Sequence, residues 1–409
     1  MIIRARTIIT MTGPPIDNGA VAISADRIAA VGTFDQVRRQ ASGEVIDLGE
    51  QILMPGLINA HCHLDYTALG DRIPPKGSFS EWVGAINAEK AKLSPEDYLN
   101  SIQDGLIEGE KFGTTSIVNF EAFPGLVGRI QSALRIWWLA ELIDVRAPEC
   151  AGGLIDSATH ALTPNNRWGL APHSLYTGSR QLYEQCEEVA AREGVLLATH
   201  LAESADEMAM FRDASGPLYQ FLQSIGRDMS DCGNETPLAR FLRIASGQAA
   251  KMKNHDMSRW IVAHLNELDR SDFTLLEQME TKFHIVHCPR SCLYFNHARF
   301  AFERLRQLGF NISLGTDSLA SNDNLNLFEE MRQFREKYPG ISCREIVEMV
   351  TVNPARALDQ ETSLGRISEG YYADLIALND LGDEELFTKV VGLEGPVHWS
   401  MVGGVPLNS

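Results

Sequence analysis

The chain has 409 residues, 44% of them hydrophobic, with 36 Lys and Arg against 54 Asp and Glu for a formal net charge of −18. The hydrophobic share rules out a disordered chain, and the negative balance argues against nucleic acid, whose phosphates select basic surfaces. No run of about 18 apolar residues marks a membrane span, and the 7 Cys, without small-scaffold spacing, fit a reducing cytosol.

In chain order, the opening MIIRARTIITMTGPP alternates like a strand and lacks the apolar stretch of a signal peptide. Residues 2–9, 20–23 and 27–31 are short β-type runs broken by Pro14, Pro15, Gly19 and Gly32. Eight apolar runs with polar or Gly-rich tips follow, at 52–60, 114–120, 136–142, 168–173, 195–200, 260–265, 283–287 and 311–317. Amphipathic stretches separate most of them. In 179–193, Leu182, Cys186 and Val189 recur at helical spacing behind Ser179 as N-cap. In 298–309, Phe302, Leu305 and Leu308 do the same. Strands alternating with helices predict an α/β fold, a (β/α)8 barrel. The runs at 374–378 and 397–402 share the texture of the opening ones, so the two chain ends are expected to pair into a small β-sandwich domain. The expected division is 1–55 and 361–409 for that domain and 56–360 for the barrel.

Chemistry in such a barrel sits at the C-terminal ends of the strands. The first strand ends His61-Cys62-His63, and side chains at i and i+2 of a strand share a face. The fifth ends at His200, the sixth at His264 and the eighth at Asp317. Histidine and carboxylate at strand ends are ligands of the zinc or iron type. A single strand-end histidine is usually a satisfied polar residue; the tips together, in barrel order, point to a metal centre.

The motifs PGLINAHCHLD, LATHLAES, WIVAHLN and LGTDSLASNDNLNLFEEM resemble the amidohydrolase superfamily. Within it they resemble the branch of cytosine, guanine and methylthioadenosine/S-adenosylhomocysteine deaminases and related triazine hydrolases. The resemblance extends over nearly the whole chain, including a return strand in GRISEGYYADLIAL and a helix over 343–358 ending in TVNPARAL. It implies that His61, His63, His200 and Asp317 hold the metal. It also implies that Glu203, in HLAE, is the acid/base, and that His264 hydrogen-bonds the hydrolytic water. Relatives with two metals use a carboxylated Lys at the end of strand four. Here that strand reads WGLAPHS, so the resemblance implies one divalent ion per chain, zinc first and iron as the alternative. A homo-oligomer with a small-molecule substrate is implied as well, and the cysteine usage places it in the cytoplasm.

The chemistry of ring deamination asks for the same roles. A metal lowers the pKa of its water from about 15.7 to about 7 in favourable sites. Asp317 can take the water's proton and pass it on. Attack on the amine-bearing carbon pushes electrons onto the adjacent ring nitrogen, which must be protonated. Glu203, three residues past His200, can supply that proton. His264 can orient the nucleophile and stabilise the developing charge. The neighbouring Asp206 and Glu207 are read as surface carboxylates.

Substrate contacts are expected from His173 in APHSLYT, toward a base or ribose, and from Trp82 in GSFSEWV, which reads equally as a helix anchor. Arg290 in HCPRSC is expected to hold an anionic tail or to cap its loop; Arg129, Arg135 and Arg146 are further cations near strand three. The roughly 50 residues between His63 and the second strand exceed a βα loop of about 2–6 residues and leave material to wrap a ribose. The expected activity is deamination of a 5′-modified adenosine of the methylthioadenosine, S-adenosylhomocysteine or 6-aminodeoxyfutalosine type. The alternative is a free-base or pterin deaminase, or a triazine chlorohydrolase, on the same scaffold. His284, His287, Cys288, Cys292 and His297 cluster like a zinc finger, but Cys-x3-Cys with no second cysteine pair weighs against one. The H-x-E and P-C-x-x-C signatures of the other zinc deaminase fold are absent, as is a phosphate loop. A non-enzymatic scaffold protein on this barrel should have lost ligands, and this chain keeps each expected position.

Overall fold

The computed structural model describes residues 1–74, 77–249, 256–379 and 385–407. The alternating N-terminal segments form β1 (Ile2–Ile8), β2 (Ile16–Ser24), β3 (Arg27–Thr33) and the short β4 (Val45–Asp47). The apolar run expected over 52–60 is two strands rather than one. β5 (Gln51–Pro55) pairs with β1, whereas β6 (Leu57–Cys62) opens the barrel. Gly56 lies between them, and a Cβ there would collide with the Thr115 side chain, so the crossing between the sheets requires glycine.

The barrel continues through β7 (Thr114–Glu121), β8 (Arg135–Leu142), β9 (Trp168–Pro172) and β10 (Leu196–Leu201). It is completed by β11 (Trp260–His264), β12 (His284–His287) and β13 (Ile312–Leu314). Neighbouring strands are parallel and follow chain order. The last strand closes on the first just beyond β13, where the N–H groups of Thr316 and Asp317 both donate to the His61 carbonyl at 3.1 Å. Gly315 permits that approach: a Cβ would stand 2.7 Å from the same oxygen. The fold is a (β/α)8 barrel. Its lumen is filled by Ile58, Val118, Phe120, Leu139, Ala198, Ile261 and Val286. β14 (Leu375–Asn379), β15 (Trp399–Val402) and β16 (Val405–Pro406) return to the N-terminal strands. The resulting sheet has the order β16-β15-β14-β5-β1-β2-β3, with β4 on β1.

Local chemistry sets the helix ends. Arg180–Glu193 begins where Ser179 Oγ accepts the Leu182 N–H and stops at Gly194 in the left-handed region at φ 71°. The helix expected over 298–309 is confined to Phe302–Gln307. The helix expected over 343–358 is two, Cys343–Glu348 and Val352–Ala357. Pro354 has no N–H to give the Val350 carbonyl. The barrel uses the break: Ile58 N–H donates to Val350 O at 2.8 Å and Leu314 N–H to Met349 O at 2.9 Å. No described helix is long and apolar enough to cross a membrane.

Candidate active site

The strand tips converge on one cluster of buried side chains. On β10, Leu197 and Leu201 pack toward the helices, while Ala198 lies in the lumen and His200 turns into the cluster. On β6 the register shifts between Asn59 and Cys62, and the His61 ring packs on Phe120 at 4.3 Å, inside the barrel. His63 follows at 5.0 Å from His61. His264 shares strand parity with the outward Val262, yet its ring stacks 5.4 Å from His200. The cause is its backbone, which adopts φ 74° and re-aims the ring. Asp317 at φ 57° and Ala202 at φ 48° sit in the same left-handed region, so three strand ends carry strained backbone at this one place.

The donor atoms form three overlapping groups, His61, His63 and His200; His61, His264 and Asp317; and Glu141, His173 and His200, each with its ligand atoms within 4.8 Å of one another. His63 Nε2 and His200 Nε2 face each other at 3.1 Å. Asp317 Oδ1 is 3.6 Å from His61 Nε2 and 3.8 Å from His63 Nε2. Both ring nitrogens of His61 and Nδ1 of His63 are buried without a hydrogen-bond partner. Buried polar atoms left unpaired are costly, and a cation among them removes that cost. His200 Nδ1–H donates to the His173 carbonyl at 2.9 Å, which leaves Nε2 unprotonated and free to ligate a metal. Burial, reinforced for His200 by the neighbouring rings, lowers His63 to about 4 and His200 well below its ordinary value, so these imidazoles are neutral. Burial pushes the Asp317 carboxyl upward, but its contact with His61 and the fields of His264, His61 and His63 outweigh this and hold it well below the usual range. Neutral imidazoles and an ionised carboxylate are the protonation states a divalent ion needs.

Glu203 stands beside this cluster, its Oε1 3.8 Å from His264 Nε2. Its N–H donates to Glu207 at 2.8 Å and its carbonyl accepts from Asn266 at 3.1 Å. Burial raises the Glu203 carboxyl to about 7. Glu207 is fully buried, contrary to the surface position expected for it, because the turn after β10 folds back and needs an acceptor for the Glu203 N–H. Asp206 accepts from Ser80 N–H at 3.2 Å and tethers the helix Phe79–Lys90 over the site.

A cavity of about 250 Å³ opens from the cluster and takes in His63, His173, His200, Glu203, His264 and Asp317. Trp82 lines it, with its indole N–H donating to the Ala320 carbonyl at 3.1 Å. Arg290 does not reach it. Pro289 starts a helix directly after β12, and Glu330 takes the Arg290 N–H. The guanidinium is thereby held by Asp323 at 2.6 Å, Asn324 at 2.7 Å and Glu329 at 3.0 Å. Two carboxylates already occupy it, so the expected role in holding an anionic substrate is corrected. Of the other arginines, Arg129 pairs with Glu96 and Arg135 with Asp374, and Arg146 alone lines the cavity.

The cavity wall also includes Tyr66, Lys90, Tyr176 and Glu141, which sequence reasoning did not single out. Glu141 was visible in principle, as a charged residue at the end of the apolar run IWWLAEL. Its Oε1 is buried, 3.7 Å from His63 Nδ1 and 3.9 Å from His173 Nε2. Of the residues that resemble a zinc finger, His287, Cys292 and His297 line one small cavity, but they form no metal-capable group among the described residues. His284 bonds Asn311, His287 stacks on Phe300, and no cysteine belongs to a metal-capable group among the described residues.

Residues 52–405 match the amidohydrolase family, and residues 19–41 match a bacterial imidazolonepropionase-like composite domain. A 5-methylthioadenosine/S-adenosylhomocysteine deaminase of Desulfitobacterium hafniense is 28% identical over 411 residues, covering 93% of this chain and 84% of that protein. Among solved structures, the aminofutalosine deaminase of Helicobacter pylori in complex with methylthio-coformycin superposes with a TM-score of 0.84 at 19% identity. It covers 100% of both chains. An adenosine deaminase of Xanthomonas campestris with bound zinc gives 0.81 at 22%, covering 99% of this chain and 92% of that one. Identities this low show a shared fold.

Proposed function

The chain belongs to the amidohydrolase family and is a hydrolase acting on carbon–nitrogen bonds, and from that premise we propose that it deaminates the 6-amino group of an adenosine modified at its 5′ end. The observation that carries the reading is the buried Glu203, its carboxyl raised to about 7, beside His264 and the histidine–Asp317 cluster on the wall of one cavity of about 250 Å³.

The proposed ligands are His61, His63, His200 and Asp317, and the proposed ion is zinc, which suits an imidazole-rich set with one carboxylate. Such an ion would supply a water that ionises near neutral pH. Asp317 takes a proton from the attacking water. Its Oδ2 accepts from Ser291 at 2.6 Å and Ser321 at 3.2 Å, which fixes the carboxylate plane and keeps Oδ1 turned toward His61 and His63. His264 steadies the nucleophile from the β11 tip. Glu203 protonates the ring nitrogen next to the attacked carbon. The carbon–nitrogen bond then breaks, the amine leaves as ammonia with the proton Asp317 had taken, and the remaining hydroxyl proton passes to the Glu203 carboxylate, which gives the 6-oxo product and restores the acid.

The rest of the cavity supports a substituted nucleoside over a bare base. His173, Glu141 and Tyr66 offer polar contacts for a ribose near the cluster. Farther out, Val83 and Ile86 of the helix Phe79–Lys90 meet Leu218, Phe221 and Leu222 of the helix Gly216–Ser224 in an apolar vestibule. A thioether tail suits that vestibule, and a tail bearing a carboxylate would meet Arg146.

A panel of amino-heterocycles with ammonia detection tests the reading. Methylthioadenosine, S-adenosylhomocysteine and 6-aminodeoxyfutalosine are compared with guanine, cytosine, a pterin and a triazine. The account expects turnover of a 5′-modified adenosine. Arg146→Met should raise KM about tenfold for carboxylated nucleosides, the scale of one charged hydrogen bond, and leave methylthioadenosine unaffected. Turnover confined to free bases or triazines would sink the nucleoside assignment.

A further inference from the structure

We propose that His297 is a positioning residue for Glu203: its imidazole stands behind the carboxylate and holds the rotamer that aims the acid at the substrate ring. The proposal rests on the reading of Glu203 as the proton donor.

His297 Nε2 lies 3.9 Å from Glu203 Oε1, and His264 Nε2 lies 3.8 Å from the same oxygen. The carboxylate is therefore set between two imidazoles. His264 lines the substrate cavity; His297 does not, and lines a second cavity of about 150 Å³ behind it. That placement separates the roles, with His264 able to touch substrate and His297 able to act only through Glu203.

The backbone of Glu203 is clamped by Glu207 and Asn266, but among the described residues no hydrogen bond fixes its carboxylate. A free carboxylate on a clamped backbone still rotates about its side-chain bonds. His297 Nε2 is the complementary lack: it is buried and has no hydrogen-bond partner. His297 Nε2 therefore faces a carboxylate that opens onto the substrate cavity, and a buried nitrogen left unpaired is costly unless it has such an acceptor to turn to. The separation exceeds a hydrogen bond, as catalytic contacts often do before substrate closes the site.

The ring is itself held in place. The backbone N–H of His297 donates to the Cys292 carbonyl at 3.0 Å, after Asn296 turns the chain in the left-handed region at φ 53°. The ring stacks on Phe295 at 5.0 Å and leans on Phe79 at 6.0 Å. Phe79 belongs to the substrate cavity wall, so a ligand pressing on it bears on His297 as well. Burial lowers His297 to about 4, which leaves a neutral ring with one N–H at working pH.

The test is a double-mutant cycle on the metal-loaded enzyme, read as kcat, KM and metal content. His297→Phe keeps a ring to stack on Phe295 and deletes Nε2. It should lower kcat about 10–100-fold, the usual scale for a residue that orients a catalytic group, with KM and metal content unchanged. His297→Gln places an amide nitrogen near the Nε2 position and should restore most of kcat. In the Glu203→Gln background, His297→Phe should have no further effect, because the group it positions is gone. Wild-type kcat in His297→Phe overturns the proposal, and so does an equal loss in both backgrounds. A Gln variant as impaired as the Phe variant assigns the loss to ring packing and overturns it too. If His297→Phe fails to fold, His297→Met enters the same cycle with the same outcomes. Normal turnover in Glu203→Gln alone would remove the premise, a result visible before His297 is altered.

Discussion

Glu203 is the residue on which the proposed chemistry turns, and its burial gives it a pH signature. A carboxyl raised to about 7 is about half protonated at neutral pH, fully protonated well below it and ionised above. Since the reaction draws on the protonated form, kcat should be full well below about pH 7 and fall as pH rises through that value. Glu203→Gln should keep the metal, lower turnover by about 10²–10⁴ and abolish this limb. His200→Ala should lose the metal instead. A Glu203→Gln enzyme with normal turnover, or a wild-type profile flat from about pH 6 to 9, contradicts the role. Much of this site was legible as residue types at strand tips, because the barrel gives position a meaning: a polar residue ending an apolar run faces the mouth. His61, His63, His200, His264 and Asp317 all came from that rule and converge. The rule is silent about loops. Arg290 and His297 both follow β12, yet Arg290 turns to Asp323 and Glu329 while His297 turns to Glu203. That difference depends on the short helix Pro289–Tyr294 and the left-handed Asn296, neither of which leaves a periodic pattern.

At the scale of elements, apolar runs and caps placed the strands and the helix behind Ser179, whereas breaks were harder to read. The division at Gly56 lies within a continuous apolar run and is set by a contact with Thr115, far along the chain. The break before Pro354 is used by carbonyls that accept from Ile58 and Leu314, partners only the closed barrel supplies. Arg135 shows the same dependence. As a sequence feature it was a candidate for a substrate carboxylate. In the structure it opens β8 and forms a two-pronged contact with Asp374, Nε to Oδ2 at 2.6 Å and Nη2 to Oδ1 at 3.1 Å, with Tyr372 stacked beneath. It ties the barrel to the strand returning from the C-terminal end. Removing one partner of a buried pair leaves an uncompensated charge and costs about 3–5 kcal/mol. Arg135→Met should therefore lower unfolding free energy by that amount in denaturant melts, with KM unchanged in the folded fraction. A loss below about 1 kcal/mol, the scale of an exposed pair, would show that the contact does not fasten the two sheets.

Over the whole molecule, the division into two sheets separates two tasks. The terminal strands make a sheet apart from the chemistry, and the barrel assembles five donor residues from four strand tips into one place. The apolar vestibule between two helices then restricts what reaches them. The central claim is that one metal ion in this cluster supports hydrolytic loss of ammonia from a 5′-modified adenosine. It is tested most directly by titrating metal-free protein with zinc while following ammonia release from methylthioadenosine. The rate should rise linearly and break at one equivalent per chain, with ammonia and the 6-oxo nucleoside formed in equal amounts. A break at two equivalents, or no ammonia at any loading, would contradict it.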